Sequence, residues 1–286
     1  MYKIKKVMLS AKTDYFRFFL DPRIMTVGIL LIFIYSFVIK ELLNCAEKTG
    51  IPLNAAEAFI AVGNSGLLIM FIPSVFMILA SDFPNMGKHL TFVVIRTGRL
   101  PWLFGKILSA VMCIVTYLGG IFVFCMLAAL QNGVFSPKWS DTVTKYISMF
   151  PEEQNPLISS FLPSNLYHQM SLGEALFHTI ALLALYLFLL CLIILFFRIL
   201  GMRTAGIAAA FTVIACGTVT SSIKTGSMWL FPMAHTIPWL HYEEAIRKPI
   251  LPLWVSYVYF IVLIIICITA NIIAAKKSNY YTMEED

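Results

Sequence analysis

The sequence predicts an all-α, polytopic membrane protein with six transmembrane helices, and three observations carry that expectation. Of 286 residues, 59% are hydrophobic and only 13% charged, about half the ~25% charge of an average soluble domain. So large an apolar fraction exceeds what a soluble domain of this size can bury, and it is equally incompatible with disorder. The apolar residues also run from position 24 to 275 instead of forming one anchor. Finally, the windows free of Asp, Glu, Lys and Arg have membrane length, since a core of ~30 Å needs roughly 20 apolar residues per helix.

The first element is residues 1–23. Ile4, Val7, Met8, Ala11, Tyr15, Phe18 and Phe19 fall at helical spacing, with Lys5, Lys6, Lys12 and Arg17 mostly off that stripe. The pattern describes a cytoplasmic amphipathic helix in the headgroup layer, separated from the first span by Pro22. With no continuous apolar stretch and no small-residue cleavage site, it does not read as a cleavable signal peptide.

Six charge-free windows follow: 24–39, 58–81, 107–137, 175–197, 204–223 and 249–275. The first reaches spanning length if Lys40 snorkels and the helix runs on to Leu43; the third is expected to end near Leu130. Runs such as 182–197 show none of the alternation of barrel strands. With both termini inside, 14 of the 21 Lys and Arg lie on inner segments and seven on outer ones, so the termini are expected to be cytoplasmic. The net charge of +6 follows from that bias and implies no nucleic-acid partner. The first 23 residues, a transmembrane domain over 24–275 and a cytoplasmic tail at 276–286 make up the expected organisation. Five cysteines fall inside spans, where Cys behaves as a small hydrophobe. Only Cys45 lies on the outer side, and neither a disulfide framework nor zinc spacing is present.

Absent features narrow the function. No span carries a central Asp, Glu, Lys or Arg, whereas ion-coupled transporters need intramembrane charge; His178, Asn64 and Asn271 are the main polar groups. The nearest approach to a phosphate loop, Gly98 to Lys106, has six residues between its glycines and no hydroxyl after the lysine. ATP, if used, is therefore hydrolysed elsewhere. An intramembrane protease-like site fails as well, because in Glu243-Glu244-Ala-Ile-Arg247 the arginine is displaced by ~100° on a helix from the Glu-Glu-x-x-x-Arg position. His235, His241 and Glu244 are the only residues that suggest a zinc site, and histidines beside tryptophans in a loop are more often packing groups. No catalytic residue and no metal ligand is assigned.

The order of parts resembles the membrane subunit of ABC-2-type (type V) ABC exporters, over essentially the whole chain. The inner loop 82–106 is similar to the family's coupling stretch: an acid, Asp82, ends helix two, and Arg96 and Arg99 precede a Gly105-Lys106 pair that opens helix three. A short helix over 86–97 is expected there. Phe92, Val93 and Ile95 would give apolar contact, and Lys88, Arg96 and Arg99 ion pairs, with an ATPase groove. The outer segment 224–250 resembles the family's re-entrant helices between helices five and six, with Trp229, Phe231, Pro232, His235, Trp239 and His241 as an outer gate. Residues 131–174 form a larger outer loop.

The resemblance implies a permease subunit of an ATP-driven exporter in a bacterial cytoplasmic membrane. Its implied partners are two copies of an ATPase subunit, which bind the ATP and magnesium, and a second permease subunit, identical or paralogous. The small residues of helix five, among them Ala205, Gly206, Ala208 and Gly217, suit close helix approach. Met70, Phe71, Phe76 and Met77 of helix two, with Pro73 as a kink, are the expected substrate path, since Met-rich surfaces accommodate varied apolar partners. The expected cargo is amphipathic or hydrophobic, most simply a peptide such as a bacteriocin, lantibiotic or peptide toxin. Immunity or drug efflux by the same machinery is the competing function, and an intramembrane enzyme the weaker one.

Overall fold

The computed structural model describes residues 2–66, 68–84, 90–153, 157–243 and 249–277, with side chains from Lys5 onward except at 90–93. Helix α1 (Tyr2–Leu20) opens the chain. Asp21 then caps the next helix by accepting from the Arg23 amide, with Pro22 in the first turn where its missing N–H costs nothing. That helix, α2 (Pro22–Thr49), is 28 residues long and contains a π segment at Tyr35–Ile39. It continues past the expected end near Leu43 because Leu42, Leu43, Cys45 and Ala46 are buried in its last turns. Gly50, at φ +68°, closes it, a left-handed position that suits glycine.

The second span is not one kinked helix. It consists of α3 (Ala55–Asn64) and α4 (Leu68–Asp82), which meet at 88°. The break lies at Asn64–Leu68 and not at Pro73, which sits in the first turn of regular α-helix from Phe71, where the orphan N–H positions tolerate proline. All ten residues of α3 are buried. Its N-terminus is set by a capping box in which Asn54 and Glu57 exchange side-chain bonds with each other's amides.

After α5 (Leu90–Thr97), Gly98 at φ +91° turns the chain into α6 (Arg99–Ala129). This helix starts two turns before the apolar window at Ile107, so Gly105 and Lys106 lie within it instead of opening it. Its 31 residues span about 46 Å at 1.5 Å per residue, well beyond a ~30 Å bilayer core. The connection between α6 and α10 opens with β2 (Gly133–Val134), paired in parallel with β1 (Leu53–Asn54) from between α2 and α3, and continues through three short helices, α7 (Asp141–Met149), α8 (Leu157–Phe161) and α9 (Ser164–Tyr167).

Ser171 and Glu174 form a second capping box that starts α10 (Leu172–Ile199). Helix α11 (Arg203–Ile223) follows a tight turn through Gly201 at φ +77°. The chain then passes through a 3₁₀ turn (Gly226–Leu230), the one-turn helix α12 (Pro232–His235) and a second 3₁₀ turn (Pro238–His241) before α13 (Leu253–Lys277). Helix α10 is central and packs against α13, α11, α3 and α6. One continuous core runs through the bundle, and a small satellite cluster joins Val94, Trp102 and Leu103 to Leu195, Ile199 and Ala275.

Among the described residues, five helices are long and apolar enough to cross a membrane, or six if α3 and α4 form one broken span. On α13, Val258, Ile261, Val262, Ile265 and Ile266 all remain exposed, a continuous apolar face of the kind that lipid covers. The chain is a helical, multi-pass membrane protein.

Candidate functional site

Three groups of residues stand out in the sequence, and the structure treats them differently. The first surrounds α5. Asp82 receives Arg23 at 2.6 Å and pairs with Arg203, while Arg23 also donates to Ser81 at 2.6 Å. One carboxylate thus fastens the start of α2, the end of α4 and the start of α11. Lys106 faces α1, where its Nζ donates to both carboxylate oxygens of Asp14 at 2.8 and 2.7 Å. Gly105 lets α1 lie close, since a Cβ there would come within 2.9 Å of Ser10 and 3.3 Å of the Val7 carbonyl. Asp82, Gly105 and Lys106 therefore serve contacts within the chain. Residue Lys88 and the side chain of Phe92 lie outside the described residues.

Helix α5 and the start of α6 are each tied to a neighbour. Lys6 Nζ donates to the Arg96 carbonyl of α5 at 2.7 Å, and Arg99 Nη1, in the first turn of α6, donates to the carbonyl of Lys276 at the end of α13. Val94 is buried beneath it. The next two side chains point away: Ile95 is 69% exposed, and Arg96 is exposed as well. A short helix with one face fixed to α1 and to the satellite core presents an apolar and a cationic side chain outward.

The second group is the expected substrate path. Pro73, Phe76 and Met77 are buried; Phe76 packs on Tyr117 with ring centroids 5.1 Å apart and faces Phe18 at 6.3 Å. Tyr117 completes that contact by donating to the Ile72 carbonyl at 2.8 Å. Phe71 meets Phe33 at 4.6 Å. Only Met70 and Phe71 of the five keep partial exposure, so three of these side chains are core groups of the single subunit.

The third group is the segment between α11 and α13, whose backbone is buried almost continuously from Pro232 to Pro238. Irregular backbone of this kind is tolerated beside a bilayer when it packs against protein, and here it does. Gly217 of α11 abuts Met233, where an added Cβ would come within 2.7 Å of the Met233 Cβ. Trp239 donates its indole N–H to the Asn64 carbonyl at 2.7 Å, beside the break between α3 and α4. Asn165 Nδ2 donates to the carbonyls of Trp239 and Tyr242, each at 3.0 Å. Phe231 is half-buried and Pro232 starts α12.

At the centre of this segment, Ser256 of α13 stands between two imidazoles, with Oγ 2.7 Å from His235 Nδ1 and 2.7 Å from His241 Nε2. The other ring nitrogens face carbonyls, His235 Nε2 that of Trp229 at 2.9 Å and His241 Nδ1 that of Ile237 at 3.2 Å. Tyr259 stacks on His235 at 4.1 Å, and the Trp229 ring meets both imidazoles edge-on. Burial lowers the pKa of both histidines, that of His241 to about 4, so both are neutral at pH 7. Among the described residues no cluster of three His, Cys, Asp or Glu side chains is placed to hold a metal; Glu244 lies outside them.

Sequence reasoning missed the partners rather than the positions. Asp14 carried a usable signal, an acid beside the apolar stripe of α1 where the neighbouring positions are Ala11, Tyr15 and Phe18. Ser256 carried none, being one hydroxyl in an apolar run. Glu57 is a third omission: wholly buried, it accepts from the amides of Asn54 and Ser140 and from the Ser140 hydroxyl, tying α3 to the start of α7. Comparison with protein-family models, curated proteins and solved structures returns no match.

Proposed function

We propose that this chain is the membrane-spanning subunit of an ATP-driven exporter of the ABC-2 type, with an amphipathic or hydrophobic cargo, most simply a peptide. In this reading, both termini and α5 face the cytoplasm of a bacterial cell, two ATPase subunits dock there, and a second permease subunit completes the pathway.

The observation that carries the reading is the mounting of α5. A helix that transmits force must be rigid on one side and accessible on the other. Val94 and the bond from Lys6 hold α5 to the satellite core and to α1, and Arg99 ties the adjoining first turn of α6 to α13, while Ile95 and Arg96 project outward. That pairing of an apolar contact with a cation suits an acidic groove on a partner, where buried apolar area supplies affinity and charge supplies register. ATP-driven closure of the partner would then push α5 against helices that run the depth of the membrane.

The test is affinity purification of the tagged protein from its native membrane in mild detergent, comparing wild type with the double variant Ile95→Glu, Arg96→Glu. A stoichiometric ATPase bound to the wild type and lost from a variant that inserts and purifies normally supports the reading. An ATPase retained by the variant, or none captured from the wild type even after crosslinking, sinks it.

A further inference from the structure

The joint between the outer segment and α13 contains a proton vacancy that can be counted. Four polar contacts connect His235, Ser256 and His241: His235 to the Trp229 carbonyl at 2.9 Å, His235 to Ser256 at 2.7 Å, Ser256 to His241 at 2.7 Å, and His241 to the Ile237 carbonyl at 3.2 Å. Each contact needs one hydrogen. Two neutral imidazoles and one hydroxyl supply three. Both end partners are carbonyls, which accept only, so no choice of tautomer fills all four contacts.

The distances say which contact goes unfilled. Two bare acceptors repel most at the shortest separation, so the 2.9 Å contact holds a proton and the 3.2 Å contact does not. His235 then carries its hydrogen on Nε2, Ser256 donates to His235 Nδ1, and His241 donates from Nε2 to Ser256. Nδ1 of His241 is left bare, opposite the Ile237 carbonyl. These tautomers are assigned from the bonding geometry.

We propose that the His235–Ser256–His241 chain is a binding site for one proton, with Nδ1 of His241 as the acceptor and the Ile237 carbonyl already in place to receive it. The proton comes from solvent water as hydronium, adds to the Nδ1 lone pair, and leaves a water molecule behind. Protonated His241 donates from both nitrogens, and all four contacts are made. The inference holds whether or not the chain is an exporter subunit.

Other groups around the site set when it fills. From α10, His178 faces this region, its Nδ1 bonded to Tyr257 at 2.7 Å, with Glu174 one turn earlier. From α13 come Ser256, Tyr257 and Tyr259, and Trp229 comes from the segment itself. None of the described carboxylates forms an ion pair with either ring. Burial thus opposes the charge without a counter-ion, and the site fills below the ordinary histidine value of about 6.5. The sign follows from linkage: with the folded pKa depressed, the unfolded chain binds the proton first. The stability this site contributes is complete above about pH 6.5 and falls as pH drops toward about 4.

Trp229 is the reporter, because imidazolium quenches an adjacent indole and its ring lies 5.0 Å from His241. Tryptophan fluorescence of the purified protein in detergent would be titrated from pH 8 to 3, alongside His241→Gln, His235→Gln and Trp229→Phe, each checked for monodispersity at pH 7.5. In His241→Gln the new amide donates a hydrogen to Ser256 and leaves no proton acceptor. In His235→Gln the amide accepts from Ser256, donates to the Trp229 carbonyl, and leaves Nδ1 of His241 untouched. The expected result is a reversible one-proton quench below pH 6.5 in the wild type and in His235→Gln. It should be absent from His241→Gln and lose its amplitude in Trp229→Phe. A flat wild-type titration, or an unchanged step in His241→Gln, overturns the proposal. If His241→Gln does not fold, the Trp229→Phe and His235→Gln arms decide: persistence of the step in the former or its loss in the latter also overturns it.

Discussion

Replacing Lys106 by Met removes the cation from a nearly enclosed ion pair and leaves Asp14 against an apolar wall. The Lys106 side chain is 6% exposed and that of Asp14 15%. Breaking a buried pair from one side costs roughly 3–5 kcal/mol, because the remaining charge loses its compensation. Asp14 keeps some contact with solvent, which places the expected cost at the lower end, about 3 kcal/mol. At about 1.4 kcal/mol per factor of ten, the docking equilibrium of α1 shifts by roughly a hundredfold. Helix α1 is also held by the Tyr15–Thr116 bond at 2.9 Å and by Lys6 on the Arg96 carbonyl, so it should loosen while the spans stay intact. Limited trypsin digestion with intact-mass readout measures this directly, since cleavage after Lys12 and Arg17 follows the population of the undocked helix. The double variant Lys106→Met, Asp14→Leu should recover most of the protection, because no unpaired buried charge remains. Wild-type cleavage rates in Lys106→Met, or a double variant no better protected than the single one, would refute the reasoning.

Two further outcomes concern α3 and the segment between α11 and α13. Glu57→Ala strips the acceptor from the buried amide of Asn54 and the half-buried amide of Ser140; at roughly 1–3 kcal/mol per stranded group, a loss of about 3 kcal/mol should lower the melting temperature in detergent by roughly 6–12 °C, with Glu57→Gln in between. A melt indistinguishable from wild type in Glu57→Ala would contradict the assignment. Gly217→Ala gains about 1 kcal/mol of helix propensity but places a Cβ against that of Met233, an overpacking cost of roughly 1–3 kcal/mol. Hydrogen exchange should accelerate over 228–241 and stay unchanged in α10; equal protection in the two proteins would show that the segment tolerates the methyl.

The membrane character and the approximate position of every long helix are legible because the bilayer imposes one rule, apolar length, that composition reports without ambiguity. The ends of those helices are not. Helix α2 outruns its apolar window because Leu42 to Ala46 meet the outer loop, and α6 starts early because α1 shields Lys106. In both cases tertiary partners bury residues that look exposed in one dimension. For the break in the second span the sequence points to Pro73, the residue with the strongest intrinsic effect, whereas the chain breaks at Asn64–Leu68. There the stranded Asn64 carbonyl finds a donor in Trp239, 175 positions away. Long-range donors of that kind leave no local pattern. Among the candidate site residues, the basic and aromatic positions are identifiable by type, but which of them face inward depends on Asp14, Ser10 and Ser256, three short polar side chains in surroundings dominated by apolar neighbours.

The same polar contacts link the two ends of the molecule. Helix α13 receives Arg99 at the Lys276 carbonyl and, near its other end, places Ser256 between His235 and His241. About twenty residues separate those positions, roughly 30 Å of α-helix, which is the thickness of a bilayer core. Helix α10 shares both ends of this link, since it packs on the segment 228–241 and contributes Leu192, Leu195 and Ile199 to the satellite cluster that holds Val94, Ala274 and Ala275. Under the exporter reading, a displacement of α5 by a docked partner would pass through the satellite cluster and the first turn of α6 to α13 and α10 together, and at the far end of α13 a buried hydrogen-bond chain holds irregular backbone to that helix. The same reading makes α13 and α10 a joint mechanical link between docking and the segment 228–241, with α4, whose Phe76 and Met77 are locked in the core, acting as part of the fixed frame against which that link moves.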